Sequence, residues 1–450
     1  MATTIRMPSL GESQPAATLV RWLKSEGDAV QAGEAIAELE TEKSTSDLEA
    51  PKAGKLGRIM VAAGTCDVAA GTPLAMLSHG ADDVLPNFVP APPAQAPASR
   101  PVSVREALNQ ALSSALHSDP NVILLGEAAG ADGGVCDGLL AKFGPERVIE
   151  TPPCHQAVTG MAIGAAMTGL KPVVEFMSWS FALQAFDQII NNAAKLTAMS
   201  GGAIQLPLVL RGPHGHVPRA GAQHSQNLAA LLSHVPNLKV LAIYDAASAR
   251  DLLRQAIADP DPVILLEHDA LYGQSWIFEP AHGRDVLLIS YGASTMVTAK
   301  AVELLKARQI DAGHIALGQL RPLDRAGLQA AVGDATRVAI IDEGWPQGGI
   351  AAELAATVTE LCFAQLAAPV MRICGADAPA SYAAAISSAA VPTAETIAAS
   401  VTQLAGSSAN RAATTQAAAF EPAATADLER HIADAERSLA ALRVKLAPPR

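Results

Sequence analysis

The sequence is poor in aromatic residues, in cysteine and in positive charge, and each shortage removes a class of protein. Phe, Trp and Tyr make up 4% of the 450 residues, and with abundant alanine that suits helix-rich α/β packing better than a β-sandwich. The five cysteines (Cys66, Cys136, Cys154, Cys362, Cys374) are an odd number without a CxxC pair. They argue against a disulfide framework or a zinc finger and for a reducing compartment. Lys and Arg number 32 against 44 Asp and Glu, a net charge of −12, and no long basic block appears. A nucleic-acid surface and an anionic-membrane surface are both excluded on that balance. No uninterrupted apolar run approaches about 18 residues, so no membrane span is expected. Met1 to Met7 lacks a charged-then-apolar export pattern, and the expected location is the cytoplasm. What the chain does have is apolar content, 50% of all residues. That is enough for sizeable cores in about three domains of roughly 150 residues.

Two stretches read as linkers. Residues 81–102 carry Pro86, Pro90, Pro92, Pro93, Pro97 and Pro101 among alanines, the composition of a semi-rigid polyproline spacer. A second stretch, Gly406 to Thr425, is rich in Ala, Ser and Thr. Before the first linker, residues 1–80 read as a compact all-β unit of short strands between glycine turns, with Thr18–Trp22 and Ala35–Glu40 the clearest. After it the rhythm changes. Ser103-Val-Arg-Glu106 is a capping box that opens a helix with Leu108, Leu112 and Leu116 on one face. Unbroken apolar strands follow at Val122–Leu125, Val173–Phe176, Leu206–Leu210, Val240–Tyr244 and Val263–Leu266, separated by helical stretches. That alternation indicates a parallel sheet covered on both faces. Near Ala281 it restarts, with Val286–Ser290, a helix around Ala299–Leu305 and Val338–Ile341, so 103–281 and 282–405 read as two α/β domains. The tail, 406–450, places Leu428, Ile432, Ala435, Leu439, Leu442 and Leu446 at heptad spacing. It reads as one amphipathic helix, either lying on its own body or meeting a partner.

In the small unit, Glu38-Leu-Glu-Thr-Glu-Lys43-Ser44 puts a lysine in a short polar segment between two strands, a protruding site suited to enzymatic acylation. With Met7-Pro-Ser-Leu-Gly-Glu12, Val20-Arg-Trp-Leu-Lys24, Glu26-Gly-Asp-Ala-Val30 and Ala50-Pro-Lys-Ala-Gly54, it resembles a lipoyl domain over residues 4–78. The biotin-carrier tip A-M-K-M is absent. The resemblance implies covalent lipoate on Lys43, although Glu42 and Ser44 depart mildly from the usual tip.

The body carries Ile123-Leu-Leu-Gly-Glu127, Gly160-Met-Ala-Ile-Gly-Ala-Ala166, Glu175-Phe-Met177 and the segment Ala182 to Asn191. Met199-Ser-Gly-Gly202, Arg211-Gly-Pro213, Ala222-Gln-His-Ser-Gln226, Arg321-Pro-Leu-Asp324, Glu343-Gly-Trp-Pro-Gln347 and Gly375-Ala-Asp-Ala-Pro379 follow in order. Together they resemble the beta subunit of the thiamine-diphosphate-dependent decarboxylating component of 2-oxo acid dehydrogenase complexes. The Gly375–Pro379 segment is most similar to the pyruvate branch. The resemblance implies a transketolase-like pyrimidine-binding domain followed by a transketolase-like C-terminal domain. It also implies an alpha subunit in an α2β2 assembly and a dihydrolipoyl acyltransferase core. Alpha would hold diphosphate and magnesium through a G-D-G motif that this chain lacks, since Gly333-Asp-Ala335 misses the last glycine. By the same resemblance Phe181 packs against the aminopyrimidine, His224 assists proton transfer, Glu127 is a carboxylate near the cofactor, and a potassium-type site lies near Asp259. His214-Gly-His216 raises a zinc reading, but no third ligand stands at metal-site spacing.

One position departs from the pattern. The family's T-P-[IL]-S-E-x-G-F-x-G segment carries the glutamate that bonds the pyrimidine ring nitrogen. Here the segment is Thr151-Pro-Pro-Cys-His155-Gln-Ala-Val-Thr-Gly160, with His155 at the glutamate's place. A neutral imidazole has a weaker proton to share than a carboxylic acid, and loss of a general acid costs about 10²–10⁴ in rate. Two functions therefore stand. One is an active pyruvate dehydrogenase-type subunit that decarboxylates pyruvate and acetylates lipoyl groups. The other is a non-catalytic paralogue that serves as lipoyl carrier and scaffold. A relative acting on acetoin or another small 2-oxo compound is a third.

Overall fold

A computed structural model describes residues 3–8, 16–25, 27–40, 45–59, 61, 64–78, 101–131, 133–406 and 437. Most of the first linker, the hairpin tip with Lys43 and the heptad seam of the tail lie outside the described residues. The chain divides into two compact units, Met1–Arg100 and Pro101–Arg450.

The first unit is two antiparallel four-stranded sheets. One runs Thr3–Arg6, Pro73–Ser78, Gly54–Ile59, Ala29–Val30; the other runs Thr45–Glu49, Ala35–Glu40, Ala16–Trp22, Thr65–Ala69. Their inner faces share one core in which Leu19, Ile36, Leu39, Leu56, Leu74 and Leu77 are wholly buried. The two strands that flank residues 41–44 pair antiparallel, Glu40 opposite Thr45.

The second unit begins at the capping box: Ser103 Oγ accepts from the Glu106 amide at 3.2 Å, and Glu106 Oε2 accepts from the Ser103 amide at 2.8 Å. The helix it opens, Val104–Ser118, buries Leu108, Leu112 and Leu116 and packs against the Ala246–Ala258 helix. Behind it lies a seven-stranded sheet in the order Val148–Glu150, Val122–Gly126, Lys171–Glu175, Val209–Pro213, Val263–Glu267, Lys239–Ala242, Gln319–Arg321. All pairs but the last are parallel. Both faces are covered, which explains why Val122–Gly126 and Val263–Glu267 are buried at every position. A second sheet, Ala312–Leu317, Val286–Tyr291, Val338–Asp342, Met371–Cys374, is parallel throughout. The helices Ser294–Ala307, Ile350–Cys362 and Ala394–Gly406 pack around it.

Two details differ from the sequence reading. The apolar run expected as a strand over Leu206–Leu210 enters the ladder only at Val209 and continues to Pro213. Pro207 has no N–H to give, and Leu206 to Leu208 reach the core through single bonds to Pro260 and Val263 instead. In addition, Gln319–Arg321, from the later half of the chain, adds antiparallel to the edge of the first sheet. The two halves thereby share a core that contains Leu232, Leu238, Leu320, Leu328 and Leu354.

The parallel strands end together, and glycine allows their close approach. A Cβ on Gly126 would sit 2.6 Å from the Glu175 carbonyl oxygen on the next strand. Gly126→Ala is expected to force the two strand ends apart and to cost about 1–3 kcal/mol. Denaturant unfolding of the two proteins side by side checks it.

Candidate active site at the carboxyl edge of the sheet

In parallel α/β sheets ligands bind beyond the carboxyl ends of the strands, and the residues singled out in the sequence gather there. Glu127 directly follows the Val122–Gly126 strand. His155 is the first residue of the His155–Met167 helix, and its side chain is buried while Cys154 before it is exposed. Phe181 lies in the single turn Trp179–Ala182, which Ser178 caps by accepting from the Ser180 amide at 3.2 Å. His224 closes the short turn Ala222–His224.

Ring contacts knit these pieces together. The imidazole of His155 lies 5.8 Å from the Phe176 ring and 5.8 Å from the Phe181 ring. Phe181 meets the His224 ring edge-on at 5.2 Å. His155 Nε2 stands 2.5 Å from Glu127 Oε1. The approach is a close contact without the alignment of a hydrogen bond, and Nδ1 has no partner. An aromatic wall, Phe176 buried and Phe181 half-buried, beside an unengaged imidazole nitrogen fits a flat heterocycle that brings its own polar ring atoms. Phe176 was not singled out from the sequence, because a phenylalanine ending an apolar strand carries no signal of its own. Asp259 stands apart in its bonding: Lys239 Nζ donates to its Oδ1 at 2.6 Å and to its Oδ2 at 2.8 Å. Among the described residues no group of three His, Cys, Asp or Glu could hold a metal ion.

Beneath the site runs a buried charge network. Arg211, wholly buried, holds Glu267 with two hydrogen bonds of 2.5 and 2.6 Å and reaches Glu175 at 3.0 Å. Tyr272 donates to Glu267 at 2.7 Å, and the Cys136 thiol donates to Glu175. Burial and then Glu175 push the Cys136 thiol well above its usual range, which keeps it protonated and inert.

A second polar cluster joins the loop before His224 to the later half. His268 Nε2 faces Glu343 Oε2 at 3.2 Å, and the His214 ring is 6.4 Å from that of His268. Gly215, at φ 87°, leaves no room for a Cβ against Glu343 and His268. His216 Nε2 meets Ser387 Oγ at 3.2 Å, and Ser387 Oγ accepts from the Arg219 amide at 3.2 Å. Burial opposes charge on His268, but Glu343 outweighs it and leaves His268 raised; Glu343 is lowered by the same partner despite its burial. At His214 burial outweighs the attraction of Glu343 and pulls it from 6.5 down to about 4. From the sequence His268 had no role, His214 only the zinc reading and Glu343 only a place in a family-like segment, since nothing in their spacing brings residues 214, 268 and 343 together.

The fold and site define a class: a transketolase-type pair of α/β domains behind a biotin- or lipoyl-type domain. Family models agree, with "Biotin-requiring enzyme" matching residues 3–77, "Transketolase, pyrimidine binding domain" 100–274 and "Transketolase, C-terminal domain" 278–397. A split-gene transketolase, described as an inactive beta4 tetramer, shares the fold with a TM-score of 0.55 and 24% identity, covering 68% of this chain and 99% of its own. The pyruvate dehydrogenase E1 component subunit beta of Rhizobium meliloti (strain 1021) is 41% identical over 445 residues, 87% of this chain and 97% of its own length. The mitochondrial subunit beta-1 of Arabidopsis thaliana is 45% identical over 302 residues, 63% of this chain and 83% of its own. The chain belongs to the pyruvate dehydrogenase E1 component beta-subunit family. Among the described residues no helix is long and apolar enough to cross a membrane.

The neutral buried histidine sets an acid limit. Between pH 6.5 and about 4 the unfolded chain binds a proton at His214 that the folded chain refuses, so stability falls as pH falls through that window. His268, being raised, works in the opposite direction: its stabilisation is complete below 6.5 and is lost as pH rises through its folded value. Replacing His214 by Asn is expected to remove about 2–3 kcal/mol of the stability lost on going from pH 7 to 4.5. Urea unfolding of both proteins at the two pH values measures it.

Proposed function

We propose that this chain, with an alpha subunit in an α2β2 assembly, carries out thiamine-diphosphate-dependent oxidative decarboxylation of pyruvate and reductive acetylation of lipoyl groups. The observation that carries the reading is the convergence of Glu127, His155, Phe181 and His224, from four separate segments, beyond the carboxyl edge of the sheet. The residues fit the aminopyrimidine half of the cofactor, with a half-buried aromatic face at Phe181 and an unengaged ring nitrogen at His155. The diphosphate and magnesium fall to alpha, since this chain lacks the G-D-G motif.

Thiamine diphosphate supplies, when bound, an electron sink for the decarboxylation of a 2-oxo acid. This chain's residues do the rest of the local work. Phe181 holds a flat ring by stacking and keeps water from it. His155 contacts the ring nitrogen, in the place of the family's glutamate. His224, edge-on to Phe181, passes a proton toward the lipoyl acceptor; an imidazole suits a shuttle near neutral pH. The lipoyl group sits on Lys43, and residues 81–102 act as the tether that raises its effective concentration at the catalytic sites and at an acyltransferase core. We assign 1–80 to the lipoyl domain, 103–281 to the pyrimidine-binding domain, 282–405 to the C-terminal domain and 406–450 to a linker and an amphipathic-helix tail, nearly all of which lies outside the described residues. The setting is the cytoplasm, in keeping with four free cysteines among the described residues.

The histidine at 155 favours one alternative, a lipoyl carrier on a retired scaffold. Co-expression with the alpha-type subunit, followed by pyruvate oxidation with an artificial electron acceptor, separates the two. Turnover that depends on thiamine diphosphate is expected, and His155→Ala is expected to lower it by about 10²–10⁴. No wild-type turnover, with strong activity appearing in His155→Glu, would establish the scaffold. Mass spectrometry of the same preparation is expected to find the lipoyl group on Lys43.

A further inference from the structure

The contact between Glu127 and His155 goes beyond the exchange of one residue for another. A glutamate at 155 would offer a carboxyl group directly. Here the carboxylate is on a different strand end, at 127, and an imidazole stands between it and the aromatic pocket. His155 Nε2 and Glu127 Oε1 are 2.5 Å apart, both buried, and neither has another partner. The ring is held on its flanks by Phe176 and Phe181, each 5.8 Å away. Its backbone is pinned as the first residue of a helix, where its carbonyl accepts from Thr159 Oγ1 at 2.7 Å.

These constraints have a chemical consequence. A carboxylate oxygen only accepts, and at 2.5 Å a bare Nε2 lone pair would repel it, so Nε2 carries the hydrogen although the contact lacks the alignment of a hydrogen bond. Nδ1 is then the ring nitrogen left for a ligand, and it is buried without a partner. On the reading of the previous subsection, on which this rests, we infer that Glu127 is a positioning residue that fixes His155 as the Nε2–H form. The atom presented to a bound aminopyrimidine is Nδ1. For Nδ1 to donate, the ring must take a second proton, and the Glu127 carboxylate balances that charge so that the pair buries no net charge. Glu127 and His155 together thus replace what one carboxylic acid does elsewhere, with the acid's charge and its donor nitrogen on separate segments.

Nitrogen NMR of the full chain labelled with ¹⁵N-histidine tests this, with the His155→Gln variant assigning the ring signals. In the free chain His155 is expected to carry hydrogen on Nε2, whether or not Nδ1 is also protonated; a bare Nε2 would overturn the inference. Glu127→Ala is expected to abolish the preference and give a tautomer mixture. An unchanged Nε2–H form in that variant removes Glu127 from the role. If that variant does not fold, the wild-type spectrum still decides. In the complex with the alpha-type subunit, added thiamine diphosphate and magnesium are expected to shift Nδ1 and leave Nε2 in place, and the reverse pattern refutes the assignment of Nδ1. Absence of cofactor binding by calorimetry sinks the functional reading and the Nδ1 assignment with it, while the free-chain tautomer still judges Glu127 separately.

Discussion

Arg211 is the constraint on which the site depends. Its guanidinium is wholly out of water, shared between Glu175 on the preceding strand of the sheet and Glu267 on the following one. Three strand ends are thus tied at one level by charge-assisted bonds that tolerate little displacement. A buried cation is costly unless its partners are complete, and here Tyr272 and the Cys136 thiol saturate the two carboxylates further. The network does not supply chemistry. It sets the depth of the floor from which Phe176 and the loop toward His224 depart.

Above that floor the first sheet and the later domain are joined by backbone and by charge. The strand Gln319–Arg321 completes the first sheet's edge, and the buried His268–Glu343 pair ties the end of another of its strands to the segment after Val338–Asp342. The loop from His214 to His224 lies against both, pressed close by Gly215 and bonded to Ser387 through His216 and Arg219. The position of His224 is therefore a property of both halves. The segment around Ser387 contributes no candidate site residue yet holds the loop that carries one.

Much of the fold was legible because it depends on local pattern. The capping box at Ser103, the leucine stripe of the first helix and the unbroken apolar strands all follow from periods of 3.6 and of fully covered strands. The strand at Val209 shows the limit: an apolar run told of burial, and Pro207 decided where the ladder began. The site was legible in part. His155, Phe181 and His224 stood out because their segments resemble a family pattern, whereas Phe176 and Glu343 lie in such segments without a role of their own and His268 has no local signature that separates it from an ordinary strand-end residue.

By itself the sequence determined the order of domains, the parallel character of the body and the histidine where a glutamate was expected. All of these are properties of neighbours along the chain. Only the tertiary structure decided what surrounds that histidine. Glu127 lies 28 positions upstream, on another strand end, and no periodicity links the two. Their contact arises because parallel strands bring all their carboxyl ends to one edge, and the His155–Met167 helix begins there, so that distant residues become first neighbours.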